Sequence, residues 1–326
     1  MGKSFDTYNF GLLELEEDDI EKGMKEIEEE RKEINAVNLL NNEQKIAYNK
    51  IYNRVLDNKP TAFFVDGPGG TKKTFLYSTL LANVRAKGMI VLAVASSGTT
   101  SSGLSGGRTA TSRFKLPLDV DEIPSLSISN ESALGQLIHP ARLIIWDEAP
   151  MEKRQTIEYF DRLRQDVCSN KVKFGGKVVV FGGDFRQVLP VIPNGSLSEV
   201  IATSFVMYPL WYALQKIHLT QNMRAIDDPP FCNLVLQIGN GIPPYENGKN
   251  IKLPKPLVVP CDSEDSSLQL LVKSIYPDNS NTTSDSFLAT KIAILTPKNE
   301  HATKINSLLV HQSQEELMST KVMTAA

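Results

Sequence analysis

Thr61-Ala-Phe-Phe-Val-Asp66, followed by Gly67-Pro-Gly-Gly-Thr-Lys-Lys-Thr74, is an apolar β-prone run that breaks into a glycine-rich turn and ends on Lys-Thr. A helix-like stretch then continues through Leu80 to Arg85. Strand, glycine-rich turn, Lys-Thr and helix is the order that cradles polyphosphate. Backbone N–H groups and the helix N-terminus hold the phosphates, the lysine reaches the outer ones, and the hydroxyl meets Mg²⁺. The residues expected to bind nucleotide are therefore Gly67, Gly69, Gly70, Thr71, Lys72, Lys73 and Thr74. One position departs from the G-x-x-x-x-G-K-[ST] spacing, because Lys72 stands where the second glycine belongs. Glycine there permits positive φ and a close approach of backbone to ligand. A lysine forced into the left-handed region costs about 1–2 kcal/mol, roughly a tenfold loss of affinity or more. The expectation is impaired binding. The bland reading of the stretch is a glycine-rich turn that binds nothing.

Outward from this loop the chain alternates short β-branched runs with helical stretches: Met89 to Ala95, Arg142 to Asp147 and Lys177 to Gly182. That alternation predicts a parallel sheet with helices on both faces, whose ligands sit beyond the carboxyl ends of its strands. Ile144-Ile-Trp-Asp-Glu148 is an apolar strand ending in two carboxylates. In company with a Lys-Thr loop, the first carboxylate is placed to hold Mg²⁺ and the second to orient and deprotonate water. A further strand and helix are expected at Lys291–Thr296 and from Asn299 to about His311, with a polar loop at Asp278–Asp285.

The 326 residues suggest about two domains. Hydrophobic residues at 41% and charged residues at 22% exclude the disordered and fibrous classes. No apolar run approaches the ~18 residues of a membrane helix, and the N-terminus has no signal core. The cysteines at 168, 232 and 261 are odd in number and widely spaced, which reads as reduced thiols in a cytosolic or nuclear protein. Charge is uneven: residues 1–37 have 12 acidic and 5 basic side chains, a balance of −7, and the remainder has 30 basic and 26 acidic, a balance of +4. The chain is thus read as an acidic helical leader (1–37, with an exposed amphipathic helix over Leu15–Val37), a first nucleotide-binding domain (38–216), and a linker with an incomplete second domain (217–326).

Taken with Gly182-Gly-Asp-Phe-Arg-Gln-Val-Leu-Pro190 and Leu219-Thr-Gln-Asn-Met-Arg224, these motifs in their order resemble the Pif-one-like DNA helicases, more closely the plant-type copies associated with Helitron transposons. The resemblance runs from about Leu39 to Leu309. It implies a RecA-like P-loop NTPase domain of α/β class followed by a partial second RecA-like domain, acting as an ATP- and Mg²⁺-dependent motor moving 5′ to 3′ on single-stranded DNA. It further implies nuclear work in repair, recombination and telomere maintenance. Within it Gln44, of Leu40-Asn-Asn-Glu-Gln44, is the base contact; Lys73 meets the outer phosphates; Thr74 and Asp147 hold the metal; Glu148 is the general base. Gln187 senses the γ-phosphate and Arg224 is similar to the family's arginine finger.

The family's DNA contacts resemble Ser96-Ser-Gly98, Gly106 to Phe114, and Thr296-Pro-Lys-Asn299, which assigns Ser97, Gly107, Arg108, Thr109, Arg113, Thr296 and Lys298 to the strand and offers Phe114 as a stacking face. The same charges also read as solvated surface. Thr99-Thr100-Ser101 and Thr111 depart from the family's small apolar residues and histidine, and the sequence stops soon after the second domain's first strand and helix, which is read as a C-terminal truncation. The leading expectation is an ATP-dependent DNA helicase impaired by Lys72 and truncation. The second, from another class, is a degenerate transposon-derived protein that binds nucleotide or single-stranded DNA without motor action.

Overall fold

The computed structural model describes residues 32–117, 131–242, 245–246, 250–258, 264–275, 293–296 and 298–312. Six strands, β1 (Thr61–Asp66), β2 (Val91–Ala95), β3 (Arg108–Thr109), β4 (Leu143–Asp147), β5 (Val178–Gly183) and β6 (Gln215–His218), form one sheet in the order β3-β2-β4-β5-β1-β6. Every neighbouring pair is parallel. The four runs expected as strands are the four central strands. The helices of this part are α1 (Asn42–Leu56), α2 (Lys73–Arg85), α3 (Gly98–Ser102), α4 (Ala110–Phe114), α5 (Ala133–Ile138), α6 (Arg154–Val167), α7 (Leu197–Thr203) and α8 (Pro229–Gly239).

Successive strand residues feed two cores. Phe63, Val65, Ile145 and Val180 pack with α1 and α2 residues such as Ile51, Leu76 and Leu80. Phe64, Ile144, Trp146 and Phe181 pack with Ile157, Phe160 and Leu163 of α6. Because both faces are covered, each central strand is apolar throughout instead of alternating with polar residues. The second core is aromatic, with Trp146 edge-on to Phe160 at 5.3 Å between centroids and Phe181 edge-on to Phe205 at 5.0 Å. Such pairs add about 0.5–1.5 kcal/mol beyond area burial.

The chain divides into two compact units, Met1–Ile242 and Pro243–Ala326. The strand Gln215–His218 spans the 216/217 position at which the sequence reading changed domains. In the second unit a two-stranded antiparallel ribbon, β7 (Tyr245–Glu246) and β8 (Asn250–Ile251), precedes α9 (Glu264–Ile275) and α10 (Asn299–Gln312). The helix expected from Asn299 is present. Of the strand expected at 291–296, residues 291–292 lie outside the described residues, and 293–296 form no ladder, with Leu295 94% exposed. An apolar run becomes a strand only where a neighbour completes its backbone hydrogen bonds, and among the described residues none runs beside it.

Of the expected leader helix, residues before 32 lie outside the described residues; residues 32–35 are helical and Ala36–Leu39 forms a 3₁₀ turn. The expected loop at 278–285 and Cys261 also lie outside them, while Cys168 and Cys232 are free thiols. Among the described residues no helix is long and apolar enough to cross a membrane.

Candidate nucleotide site

β1 delivers the glycine-rich loop, and the loop is belted from both sides. Gly67 N–H donates to Gly183 O at the end of β5 (3.3 Å), and Thr71 Oγ1 donates to Pro68 O (2.9 Å). From beyond β6, Met223 N–H donates to Gly70 O (2.8 Å) and Asn222 Nδ2 to Gly69 O (3.3 Å). Gly70 has φ +92°, and a Cβ there would lie 2.3 Å from Asn222 Oδ1. This glycine is required by both backbone and space.

The departure at Lys72 has a definite geometry. Lys72 caps the N-terminus of α2 at φ 55°, ψ 44°, in the left-handed region, with no side-chain cap. The sequence pattern anticipated this strain, and the backbone has it. Lys73, 8% exposed, folds its Nζ back onto Gly67 O at 2.5 Å. Thr74, itself exposed, follows in the first turn of α2, where N–H groups lack i−4 partners within the helix.

β4 ends on Asp147, 1% exposed, whose carboxylate accepts from Glu148 N–H at 2.9 Å. Burial raises the Asp147 pKa, with Lys73 and the Glu148 N–H opposing. Glu148 is itself left-handed, at φ 53°, ψ 35°. Burial first, then the charge of Asp147, pushes its carboxyl up to about 7; Lys73 opposes and Asp184 adds. Two non-glycine residues strained in one small region, both at the loop and carboxylate turn, is the pattern of a functional site. Beneath them Tyr77 is wholly buried and its hydroxyl has no hydrogen-bond partner. A Cβ on Gly182 of β5 would lie 1.9 Å from that hydroxyl and 3.0 Å from Asp147 Oδ1, so the bare backbone of β5 lets α2 and β4 meet across it.

A cavity of about 320 Å³ gathers the phosphate loop with Asp147, Glu148, Gln187 and Arg224. Thr99, Thr100 and Gly103 also line it; the sequence motifs had placed that segment with DNA. Gln44 is 2% exposed, and its amide is engaged with the loop and its own helix. Nε2 donates to Thr71 O (2.9 Å), and Oε1 accepts from Asn41 N–H (3.0 Å) in the capping box of α1. Its neighbour Glu43 accepts from Thr220 Oγ1 (2.6 Å), Thr220 N–H (2.7 Å) and Gln221 N–H (3.2 Å). Burial works to raise the Glu43 pKa and those donors outweigh it, for a net lowering. This tie between α1 and the segment after β6 had no signal in sequence, since its members are 177 residues apart.

The residues expected to meet DNA separate. Ser97 Oγ caps α3 by accepting from Thr100 N–H, and Thr109 Oγ1 caps α4 by accepting from Ser112 N–H. Arg108 is exposed on edge strand β3, beside Gly107. Arg113 donates to Gly106 O (2.5 Å); burial lowers its pKa, and Arg108 and Arg85 lower it further. Phe114, expected as a stacking face, is instead fully buried, 4.7 Å from Phe160 and 6.2 Å from Trp146 between centroids. As the last residue of amphipathic α4 its ring points into the core, so it offers no face to a base. Thr296 and Lys298 belong to the second unit, where Thr296 Oγ1 donates to Lys298 O (2.6 Å).

For Mg²⁺ and a triphosphate the residues fit. A desolvated carboxylate gains from a cation, and Mg²⁺ is held by one or two carboxylates together with phosphate oxygens. The left-handed Lys72 is the one misfit in the cradle.

A polyphosphate cradle on one strand, served by carboxylates from a strand two places away in a wholly parallel sheet, is the arrangement of the RecA-like P-loop NTPases. Within that class the model of the PIF1-like helicases matches residues 39–249, and the chain belongs to that family. It is 27% identical over 234 residues to the ATP-dependent DNA helicase PIF1 of Trypanosoma brucei brucei, covering 68% of this chain and 21% of the relative. It is 24% identical over 253 residues to that of Candida albicans, covering 73% of this chain and 27% of the relative. The chain thus spans about a quarter of the length of these relatives. Among solved structures, Bacteroides Pif1 in complex with ADP-AlF3 and ssDNA is similar with a TM-score of 0.57 at 22% identity, over 83% of this chain and 57% of the other. Candida albicans Pif1 is similar with a TM-score of 0.55 at 23% identity, over 67% and 50%.

Proposed function

We propose that this chain forms the MgATP site of an ATP-dependent DNA helicase that moves 5′ to 3′ on single-stranded DNA, in nuclear repair, recombination and telomere maintenance. The supporting observation is the single cavity that draws together the phosphate loop, Asp147, Glu148, Gln187 and Arg224. The curated relatives are named as ATP-dependent DNA helicases, and the similar Bacteroides protein was captured with a nucleotide analogue and ssDNA.

In this reading the backbone of Gly67–Thr74 wraps the phosphates, and Lys73 leaves Gly67 O for the β- and γ-phosphate oxygens. Thr74 and Asp147 hold Mg²⁺, which when bound neutralises phosphate charge. Glu148 takes the proton of the water that attacks the γ-phosphorus as the bond to the β-phosphate oxygen breaks. Gln187 contacts the γ-phosphate, and Arg224 stabilises the charge that develops on it. Gln44 keeps one Nε2 hydrogen for the base. Lys72 weakens nucleotide binding by placing a side chain where glycine would let the loop backbone approach the phosphates, and turnover is slow.

The test is ATP binding and hydrolysis with and without single-stranded DNA. Glu148→Gln is expected to retain binding and lose hydrolysis by at least about 10²-fold, the range in which general bases act. Hydrolysis surviving that change would remove Glu148 from its role, and no DNA stimulation in wild type would remove the motor.

A further inference from the structure

Beside the nucleotide cavity lies a second, larger one of about 600 Å³, between the turn after β5 and helix α8. At its base is a polar cluster that the proposed chemistry does not use. Asp184, 4% exposed, follows β5 and opens a tight turn in which Gln187 N–H donates to Asp184 O (3.1 Å) and Arg186 N–H to Asp184 Oδ1 (3.0 Å). The Arg186 guanidinium returns over the same turn, with Nη1 2.9 Å from Asp184 Oδ1 and 3.5 Å from Asp66 Oδ1 at the end of β1. Its Nε donates to Asn240 Oδ1 at 2.8 Å, and Asn240 is the residue that caps the C-terminus of α8. The Arg186 stem lies against Gly239, where an added Cβ would meet its Cδ at 3.2 Å and its Cβ at 3.3 Å. Asp66 in turn holds His218 Nδ1 of β6 at 3.1 Å.

One side chain therefore spans the ends of β1 and β5, the turn that presents Gln187, and the last turn of α8. Among the described residues the helix has few other ties: Cys232 Sγ donates to Ala225 O (2.9 Å), no α8 residue is buried, and Phe231, Val235 and Leu236 are 39%, 47% and 36% exposed. A planar guanidinium with donors in several directions can make these bonds at once, which an ammonium cannot.

We propose that Arg186 is a positioning residue that locks α8 to the Asp184–Gln187 turn, so that the loop facing the outer phosphate and the helix ending at the unit boundary move as one body. The proposal deepens the ATPase reading and rests on it for its kinetic arm alone.

The test uses the full chain and the variants Arg186→Gln, Arg186→Lys and Asn240→Ala. Amide hydrogen exchange of residues 231–239, measured without nucleotide, is expected to quicken at least about 5-fold in Arg186→Gln and in Asn240→Ala, with Arg186→Lys between Arg186→Gln and wild type and with β4 amides unchanged. In kinetics, kcat is expected to drop about 10-fold in Arg186→Gln with KM for ATP within about 2-fold, and Asn240→Ala to lose less. Unchanged exchange across 231–239 in both variants overturns the lock. If Arg186→Gln loosens β4 as well, Asn240→Ala decides alone, since it deletes only the far end of the tie. A wild-type chain that neither binds nor hydrolyses ATP would defeat the proposed function, while the exchange result would still judge Arg186.

Discussion

Among the described residues seven non-glycine residues have positive φ, and Lys72 and Glu148, at 55° and 53°, are the two that line the nucleotide cavity. At Lys72 the missing glycine has a consequence that can be isolated. Lys72→Gly relieves left-handed strain that the ligand-free fold already carries and is expected to raise stability by up to about 1–2 kcal/mol, read by denaturant melts. It also takes a Cβ out of the cradle and is expected to tighten ATP binding, read by titration with a fluorescent ATP analogue, where equal or weaker affinity would show that the lysine charge outweighs the lost backbone approach. At Glu148 the prediction concerns stability. Its folded pKa of about 7 lies above the ordinary 4.5, so the folded state holds this proton more tightly than the unfolded one. Its contribution is harmless below pH 4.5, turns unfavourable between 4.5 and 7, and is constant above. With chelator present to keep metal away, Glu148→Gln is expected to stabilise the chain by about 2 kcal/mol at pH 8, after allowing for solvent screening, and by much less at pH 5. Denaturant melts at the two pH values read this directly, and a pH-independent difference would remove the desolvation argument.

At the scale of elements, the site depends on β5 having no side chains at its carboxyl end. Tyr77 from α2 and Asp147 from β4 meet over Gly182, and the Tyr77 hydroxyl is left without a partner. Gly182→Ala is expected to destabilise the chain by at least about 2 kcal/mol through this overlap. Tyr77→Phe removes a buried orphan hydroxyl and alone is expected to be neutral or stabilising. Combined with Gly182→Ala it should recover part of the loss, because the closest overlapping atom is gone. Strictly additive effects in that double-mutant cycle would mean the two residues do not press on each other. The four central strands were legible in sequence to within two residues at each end, since burial on both faces leaves no polar interruption, while edge strand β6, with only Ile217 of its residues buried, was not. Edge strand β3, two residues long, had no such signal, and the run at 291–296 had the signal but no partner for 293–296 among the described residues.

For the whole molecule, two features separate DNA from core. Phe114→Ala is expected to lower stability by about 3–5 kcal/mol, as for other large aromatic truncations in a packed core, with single-strand affinity of the folded fraction unchanged; an affinity loss without a stability loss would return Phe114 to the surface. The basic edge built by Arg85, Arg108 and Arg113 is where the +4 balance of residues 38–326 becomes local. Single-strand affinity should fall with salt at a slope near −0.7 per phosphate contacted, and Arg108→Ala should reduce that slope by one contact. A flat salt response would take the edge out of the DNA reading.

Contiguous stretches of the chain specify the parallel sheet, the phosphate loop on its first strand, the carboxylate pair on β4 and the strain at Lys72. Each of these is written in contiguous residues whose apolarity, glycine content or spacing has one physical solution. What only the tertiary structure decided is what lies across the chain. Gln44 is turned onto Thr71, Thr99 and Thr100 come to the nucleotide cavity, Phe114 goes into an aromatic core, and Arg186 joins β1, β5 and α8. These depend on which strand ends and helix faces become neighbours once the sheet is ordered β3-β2-β4-β5-β1-β6, and pairings between residues scores of positions apart leave no periodic trace in the chain that makes them.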